Sequence, residues 1–283
     1  MKKYRILFNP HAGNGHGEEG AQTFGATLHD CEVRFDDITK IPPYPEYFAS
    51  LDGEEILVIC GGDGTVNRFV NECGELPQNE LMFCAVGSGN DFANDLGVKQ
   101  GELTELKRYL KSLPEVTVNG MTRKFVNGIG YGIDGYCCEE GDRIREASPG
   151  KKINYTAIAI KGLMYSFKPA NAEVIVDGAV HHYKRVWLAP TMKGRYYGGG
   201  MMPAPGQDRL DPDGMLSVVV AHDSGKLRTL KMFPSIFTGE HLKYKDIIDV
   251  FKGREVTVRF DRPTALQIDG ETVKGVTEYT VRG

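Results

Sequence analysis

The stretch EILVICGGDGTVNRFV, residues 55–70, runs from an apolar segment directly into two glycines, an aspartate, a third glycine and a helix-like tail. Upstream, the apolar run 4–8 meets the turn NPHAGNG, residues 9–15. Downstream, the run 81–86 meets GSGND, residues 87–91. With the further apolar segment 31–35, the first hundred residues alternate strand-like and helix-like stretches, which predicts an α/β domain built on a parallel sheet. In such a sheet all three turns fall at the carboxyl edge, where ligands bind.

Glycines at that edge let backbone N–H groups approach a phosphate, and each following helix offers its positive N-terminus to the same anion. One such turn is weak evidence, whereas three following three strands are much stronger. Asp63 has two readings: a cap for the helix beginning near Thr65, or a group that orders a phosphate loop or reaches Mg²⁺ through water. Gly15, Gly17 and Gly20 also satisfy GxGxxG, with Asp36 and Asp37 about twenty residues on, as a dinucleotide fingerprint requires. Six residues nevertheless separate Phe8 from Gly15, where that fingerprint ends its strand on the first glycine. GxxxxGK[ST] does not occur, which excludes a P-loop.

From about Asn119 the pattern becomes β-rich, with strand-like runs at 172–176, 185–189, 216–220, 255–260 and 279–281 separated by Gly, Pro and Asp turns. Two domains are therefore expected, 1–118 and 119–283. Residues 151–168 read as a helix, apolar on most sides and basic at both ends. Burial against the β-rich domain is the favoured reading, and lipid contact the lesser one. Among 283 residues, 34 basic and 38 acidic ones leave a net charge of -4, which argues against broad nucleic-acid binding. The start MKKYR leads into a strand, and no apolar run approaches the ~20 residues that span a bilayer, so a cytoplasmic protein is expected. Six scattered cysteines without CxxC spacing read as reduced thiols that hold no zinc.

At the glycine turns the chain resembles the diacylglycerol kinase catalytic family, which includes sphingosine and ceramide kinases and bacterial lipid kinases. The resemblance rests on NPHAG, on GGDGTVN and on GSGNDFA, and it runs over nearly the whole chain. It implies a fold like that of NAD and diacylglycerol kinases: an α/β N-terminal domain and a β-rich C-terminal one. It also implies ATP and Mg²⁺ as cofactors, with ATP contacts at Asn9, Pro10, His11, Ala12, Gly13, Thr39, Gly62, Asp63, Gly64, Thr65, Val66, Asn67, Arg68 and Ser88, and Asp91 beside them.

In the C-terminal half, YGGGM (197–201) and the segment around Asp213 resemble the family's structural Mg²⁺ site. There Asp213 would supply a carboxylate, and Leu210 and Met215 backbone oxygens. DPDG, residues 211–214, is also an ordinary turn sequence. QIDGE, residues 267–271, could likewise be a hairpin turn, but it matches the family's AspGlyGlu, whose glutamate is the proposed proton acceptor, and this makes Glu271 the candidate base, with Asp63 the second catalytic candidate. The implied activity is phosphorylation of a hydroxyl of diacylglycerol or a similar lipid alcohol. The implied partners are the lipid substrate and, transiently, the inner membrane surface, with a homodimer compatible and no nucleic acid.

Four positions depart from the family pattern: Asn14 for a usual lysine, Arg68 for a usual glutamate, EVTVNG (115–120) without the usual aspartate, and TMKGR (191–195) for a usual AsnGly. They leave acceptor identity open. A kinase of a soluble acceptor resembling NAD kinase and a non-catalytic lipid or nucleotide sensor are the alternatives, and a dehydrogenase ranks last because it leaves two glycine turns unexplained.

Overall fold

The computed structural model of the chain describes residues 1–86, 90–148, 150 and 152–283, the side chain at position 14 excepted. The chain divides into two compact units, Met1–Leu113 and Pro114–Gly283.

The first unit is an open sheet with short helices. Strands β1 (Lys2–Phe8), β2 (Cys31–Asp37), β3 (Glu55–Gly61) and β4 (Leu81–Ala85) run parallel in the order β2-β1-β3-β4. The edge strand β5 (Leu103–Glu105) is antiparallel to β4. Their connections carry α1 (Ala12–Gly15), α2 (Gly17–Gly25), α3 (Tyr44–Ala49), α4 (Asp63–Glu72) and α5 (Asp91–Leu96), and α6 (Lys107–Leu110) follows β5. Strand β3 is central, and its continuous apolar run Leu57–Cys60 is at most 1% exposed, as a parallel strand covered on both faces requires. On α4, Val66, Phe69 and Val70 are buried at i, i+3 and i+4, a single face turned to the core. Helix α5 ends at Gly97, whose φ of +70° is the left-handed turn that glycine adopts without penalty. Cys60 and Cys84 are buried register partners on β3 and β4, and all six cysteines are free thiols.

The second unit is built on antiparallel strands. They are β6 (Glu115–Val118), β7 (Met121–Lys124), β8 (Gly128–Tyr131), β9 (Ala170–Val176), β10 (Ala179–Val186), β11 (Thr191–Met192), β12 (Leu216–Ala221), β13 (Ile248–Gly253), β14 (Glu255–Ile268) and β15 (Glu271–Arg282). The path is β13-β12-β11-β8-β14-β15-β6-β7, and the hairpin β9/β10 joins through β9 to β14. Three helices accompany them: α7 (Ile133–Ala147), α8 (Tyr155–Lys161) and α9 (Lys226–Met232). Helix α7 lies directly on β14, where a Cβ at Gly135 would come within 1.8 Å of the Ala265 carbonyl oxygen.

Three features differ from the sequence reading. Residues 115–118, placed there with the first domain, form β6 and pair with β15, so their alternating EVTV pattern belongs to the second unit's sheet. Of the run read as strand 185–189, only 185–186 lie in a strand, the end of β10, whose preceding part AVHHYK is mostly exposed and too polar to signal itself; Leu188 makes isolated bridges to Gly132 and Ala221. The runs 255–260 and 279–281 are parts of one long hairpin, β14/β15, closed at Asp269–Gly270.

Candidate functional site

The parallel register aligns the strand ends of the first unit. Phe8 stands opposite both Asp37 and Cys60, and Gly61 opposite Ala85, so the segments after β1, β2, β3 and β4 leave along one sheet edge. The order β2-β1-β3-β4 reverses its winding between β1 and β3, which is where open parallel sheets take ligands. The expected nucleotide residues Asn9 to Gly13, Thr39 and Gly62 to Arg68 lie on this edge or in the helix turns beginning there. Ser88 lies outside the described residues.

The turns after β1 and β2 are held by their own short polar side chains. Asn9 accepts a hydrogen bond at Oδ1 from the His11 N–H at 3.0 Å, and its carbonyl accepts from the Ala12 N–H at 3.0 Å. Thr39 donates its N–H and hydroxyl to Asp37 Oδ1 at 2.9 and 2.7 Å. The glycines that match GxGxxG have packing roles here. A Cβ at Gly17 would fall 1.9 Å from the Asn9 carbonyl oxygen, and one at Gly20 2.9 Å from Val86 Cβ. Both serve the approach of α2 to the turns after β1 and β4.

Asp63 is where sequence and structure part most instructively. It begins α4, yet its carboxylate accepts from the backbone N–H groups of Asp91 and Phe92 at 2.8 and 2.9 Å, the first turn of α5. Asp63 thus caps the neighbouring helix, and so ties the turn after β3 to the first turn of α5. Gly62 lies against the same junction, with a Cβ there 2.9 Å from Asn90 Oδ1. Arg68 lies one turn along α4 and pairs with Glu72 at 2.9 Å, an exposed i,i+4 pair. Asn67 is buried, and its carbonyl accepts from Asn71 Nδ2 at 2.9 Å.

In the second unit the AspGlyGlu segment is the β14/β15 turn. Asp269 and Gly270 both have positive φ, +47° and +91°, the two-residue turn that suits a twisted hairpin. The Asp269 carboxylate accepts from three successive backbone N–H groups: Val126, Asn127 at 2.8 Å and Gly128 at 3.0 Å. Glu271 follows at the start of β15, 59% exposed, with Oε2 ion-paired to Arg123.

The metal candidates lie on one loop. Asp208 Oδ1 accepts the Leu210 N–H at 2.9 Å, and Asp211 Oδ1 accepts those of Asp213 and Met215 at 3.0 and 3.2 Å. The Asp213 carboxylate is exposed and takes no hydrogen bond among the described residues, while the Met215 carbonyl accepts Gln207 Nε2 at 2.9 Å. One carboxylate with backbone carbonyls is the oxygen chemistry that suits a hard cation such as Mg²⁺. Among the described residues no three His, Cys, Asp or Glu side chains converge.

Three further residues stand out in the structure. Arg209 is buried, donating to the Val126 carbonyl and to Asn127 Oδ1 at 2.8 Å, which braces the loop that Asp269 holds. Lys193, in the unusual TMKGR segment, is 2% exposed; its backbone N–H donates to the Asn127 carbonyl at 2.9 Å, while its ammonium has no hydrogen bond or ion pair among the described residues. Burial, and then the Arg209 charge, pull its ammonium pKa down against Asp211 and Asp208. Asp134 is buried and accepts the Tyr197 hydroxyl proton in a hydrogen bond, and burial pushes its pKa up to about 6 against that bond. Tyr197 opens YGGGM, a loop closed by mutual backbone bonds with Met201 at 3.0 and 3.1 Å. All three of its glycines have positive φ, +62°, +83° and +104°, which explains the triple glycine. A cavity of about 330 Å³ in this unit, lined in part by Tyr136, Phe167, Lys168 and Arg262, contains none of the expected site residues.

Comparison with known proteins bears on both units. Residues 3–121 match the diacylglycerol kinase catalytic domain. Residues 127–281 match the YegS C-terminal NAD kinase beta sandwich-like domain. A diacylglycerol kinase of Bacillus subtilis is 25% identical over 96% of this chain and 90% of its own. One of Mycobacterium tuberculosis is 24% identical over 87% and 81%. A crystal structure of a diacylglycerol kinase from Bacillus anthracis covers 99% of this chain and 93% of its own at 20% identity, with a TM-score of 0.60, and so shares the fold. With both halves matched and the glycine turns gathered on one sheet edge, the chain belongs to the diacylglycerol kinase catalytic family.

Proposed function

We propose that this protein is a lipid kinase that transfers the γ-phosphate of ATP, with Mg²⁺, to a hydroxyl of diacylglycerol or a similar lipid alcohol. The observation that carries the reading is the edge of the first unit's sheet, where the turns after β1 and β3 flank the winding reversal and Asp63 fastens the first turn of α5 to the turn after β3. Phosphoryl transfer asks chiefly for positioning and for stabilisation of charge on the transferring oxygens. Backbone N–H groups and the N-termini of α2 and α4 supply both. Asn9 to Gly13, Thr39, Gly62 to Arg68, Ser88 and Asp91 are the nucleotide contacts in this reading.

Glu271 takes the proton of the acceptor hydroxyl as the new bond to phosphorus forms. Its Oε2 is held by Arg123, which fixes the carboxylate's orientation and leaves Oε1 for the proton. Asp213, with the carbonyls of Leu210 and Met215, holds a Mg²⁺ ion whose charge would tie this loop together. No helix among the described residues is long and apolar enough to cross a membrane. A cytoplasmic enzyme that meets its substrate at the inner membrane surface fits the family. The test is incubation with labelled ATP, Mg²⁺ and a total lipid extract in mixed micelles. A labelled lipid that depends on Mg²⁺ is expected. Label found only on soluble acceptors, or none transferred, would overturn the reading.

A further inference from the structure

Residues 154–168 form a segment whose helix, 155–166, has two unlike faces. Asn154 caps it by accepting the Ala157 N–H at 3.0 Å, α8 follows, and a π-turn, Gly162–Ser166, extends it. Ala159, Leu163 and Phe167, at i, i+4 and i+8, are buried in the core that contains Ile133, Cys137 and Trp187. The sequence expectation of a helix buried against the β-rich part therefore describes one face.

The other face is apolar and exposed. Ile160 and Met164 are 41% and 37% exposed and Tyr165 is 71% exposed, at i, i+4 and i+5. Helix α9 adjoins this face, since Lys226 Nζ donates to the Met164 carbonyl at 3.1 Å, and next to it Leu227 is 83% exposed. Apolar side chains so exposed and so close together mark an interaction surface.

Charge identifies the occupant. In a chain of net charge -4, residues 152–168 and 225–232 contain no Asp or Glu. They carry exposed Lys152, Lys161, Lys168, Lys226 and Lys231, none of them in an ion pair among the described residues. Apolar and tyrosine side chains flanked by lysines are what an anionic lipid surface takes up: the apolar groups enter the headgroup boundary and the ammonium groups meet lipid phosphates. A protein partner of opposite charge would serve the lysines but leave Tyr165 and Leu227 without an apolar phase.

We propose that the face formed by the 154–168 segment and α9 docks this protein on an anionic phospholipid surface, with Met164, Tyr165 and Leu227 inserted and Lys161, Lys168 and Lys231 around them. The inference rests on the lipid-kinase reading for its purpose, but its test does not use catalysis. Wild-type protein, without ATP, is sedimented with vesicles of phosphatidylglycerol and phosphatidylcholine in equal parts, and with vesicles of phosphatidylcholine alone. Binding to the anionic vesicles is expected to be at least tenfold tighter and to fall with salt. Tyr165→Ser with Leu227→Ser should weaken it by roughly tenfold or more. Replacing Lys161, Lys168 and Lys231 by Gln should weaken it on the order of a hundredfold.

Equal binding to both vesicle types, or variants that bind like wild type with unchanged circular dichroism, would overturn the proposal. A lipid-free dimer in sedimentation velocity that is lost in the Tyr165/Leu227 variant would also overturn it, and would assign the face to a second copy. Vesicle binding without transfer to any lipid would sink the kinase reading and leave the docking face standing. Transfer in micelles without vesicle binding would do the reverse.

Discussion

In both units aspartates accept successive backbone N–H groups from segments far away in sequence, Asp63 in the first and Asp269 in the second among them, and these two do different work. Asp63 ties a glycine turn to the first turn of α5 at the edge of a parallel sheet. Asp269 ties a hairpin turn to the strand-entry loop 126–128 within an antiparallel sheet. In the first unit the aspartate organises a surface made of backbone donors, where a small shift changes what can bind. In the second it locks strand register and leaves the next residue but one, Glu271, to face solvent. The same chemistry thus joins two helix starts at a sheet edge in one place and a hairpin to a loop in the other.

The sharpest test of that contrast replaces Glu271, which belongs to the Asp269 turn but not to its framework. Glu271→Gln should lower single-turnover transfer by about 10² to 10⁴, keep ATP affinity, and move stability by less than about 1 kcal/mol. Transfer at near-normal rates would move the base elsewhere. Asp269→Ala attacks the framework itself and leaves three N–H groups without their acceptor. A loss of about 3–5 kcal/mol in urea unfolding is expected, with Asp269→Asn retaining much of it because an amide oxygen still accepts and Asn tolerates positive φ. A loss under about 1 kcal/mol would remove Asp269 from the comparison.

Asp63→Asn probes the other side. One amide oxygen cannot replace two charge-assisted acceptors, so about 2–3 kcal/mol of local stability should go, read as faster amide exchange at Asp91 and Phe92. Mg²⁺-dependent transfer should fall more than tenfold with the overall fold intact by circular dichroism. Unchanged exchange at those amides would break the parallel with Asp269.

The smallest effect concerns Asp134, a buried carboxylate that bonds a side chain instead of backbone. Asp134 has its pKa raised to about 6, so the stability it contributes is present in full below the ordinary carboxylate value and is lost as pH rises through about 6. Asp134→Asn keeps an acceptor for Tyr197 without the charge. Its stability relative to wild type should rise by roughly 2 kcal/mol between pH 4 and pH 7.5. A pH-independent difference would mean that Asp134 is charged at no greater cost than an exposed carboxylate.

Local sequence determined a good deal of this protein. Strands β3 and β4 and the end of β1 were legible because each is a buried apolar run ending at a turn or helix start, whereas the edge strand β2, with no buried residue, was legible only from its apolar start and its place in the alternation. The glycine turns were legible because the conformations and close approaches at Gly13, Gly17 and Gly61 admit little else. The AspGly of the long hairpin was legible as a turn for the same reason.

What tertiary structure alone decided is which backbone each polar side chain serves. Asp63 lies in a helix's first turn and by local rules should cap that helix. It caps α5 instead, because parallel register brings the ends of β3 and β4 side by side. Asp269 finds its partners more than 140 residues away through the pairing of β14 with β8. Polar strands such as 179–184 and 115–118 carry too little hydrophobic signal to declare their sheet, which pairing with β9 and β15 supplies. Nor does any local rule say that Lys193 is buried while Tyr165 and Leu227 are exposed, since burial belongs to the assembled core and not to the residue type.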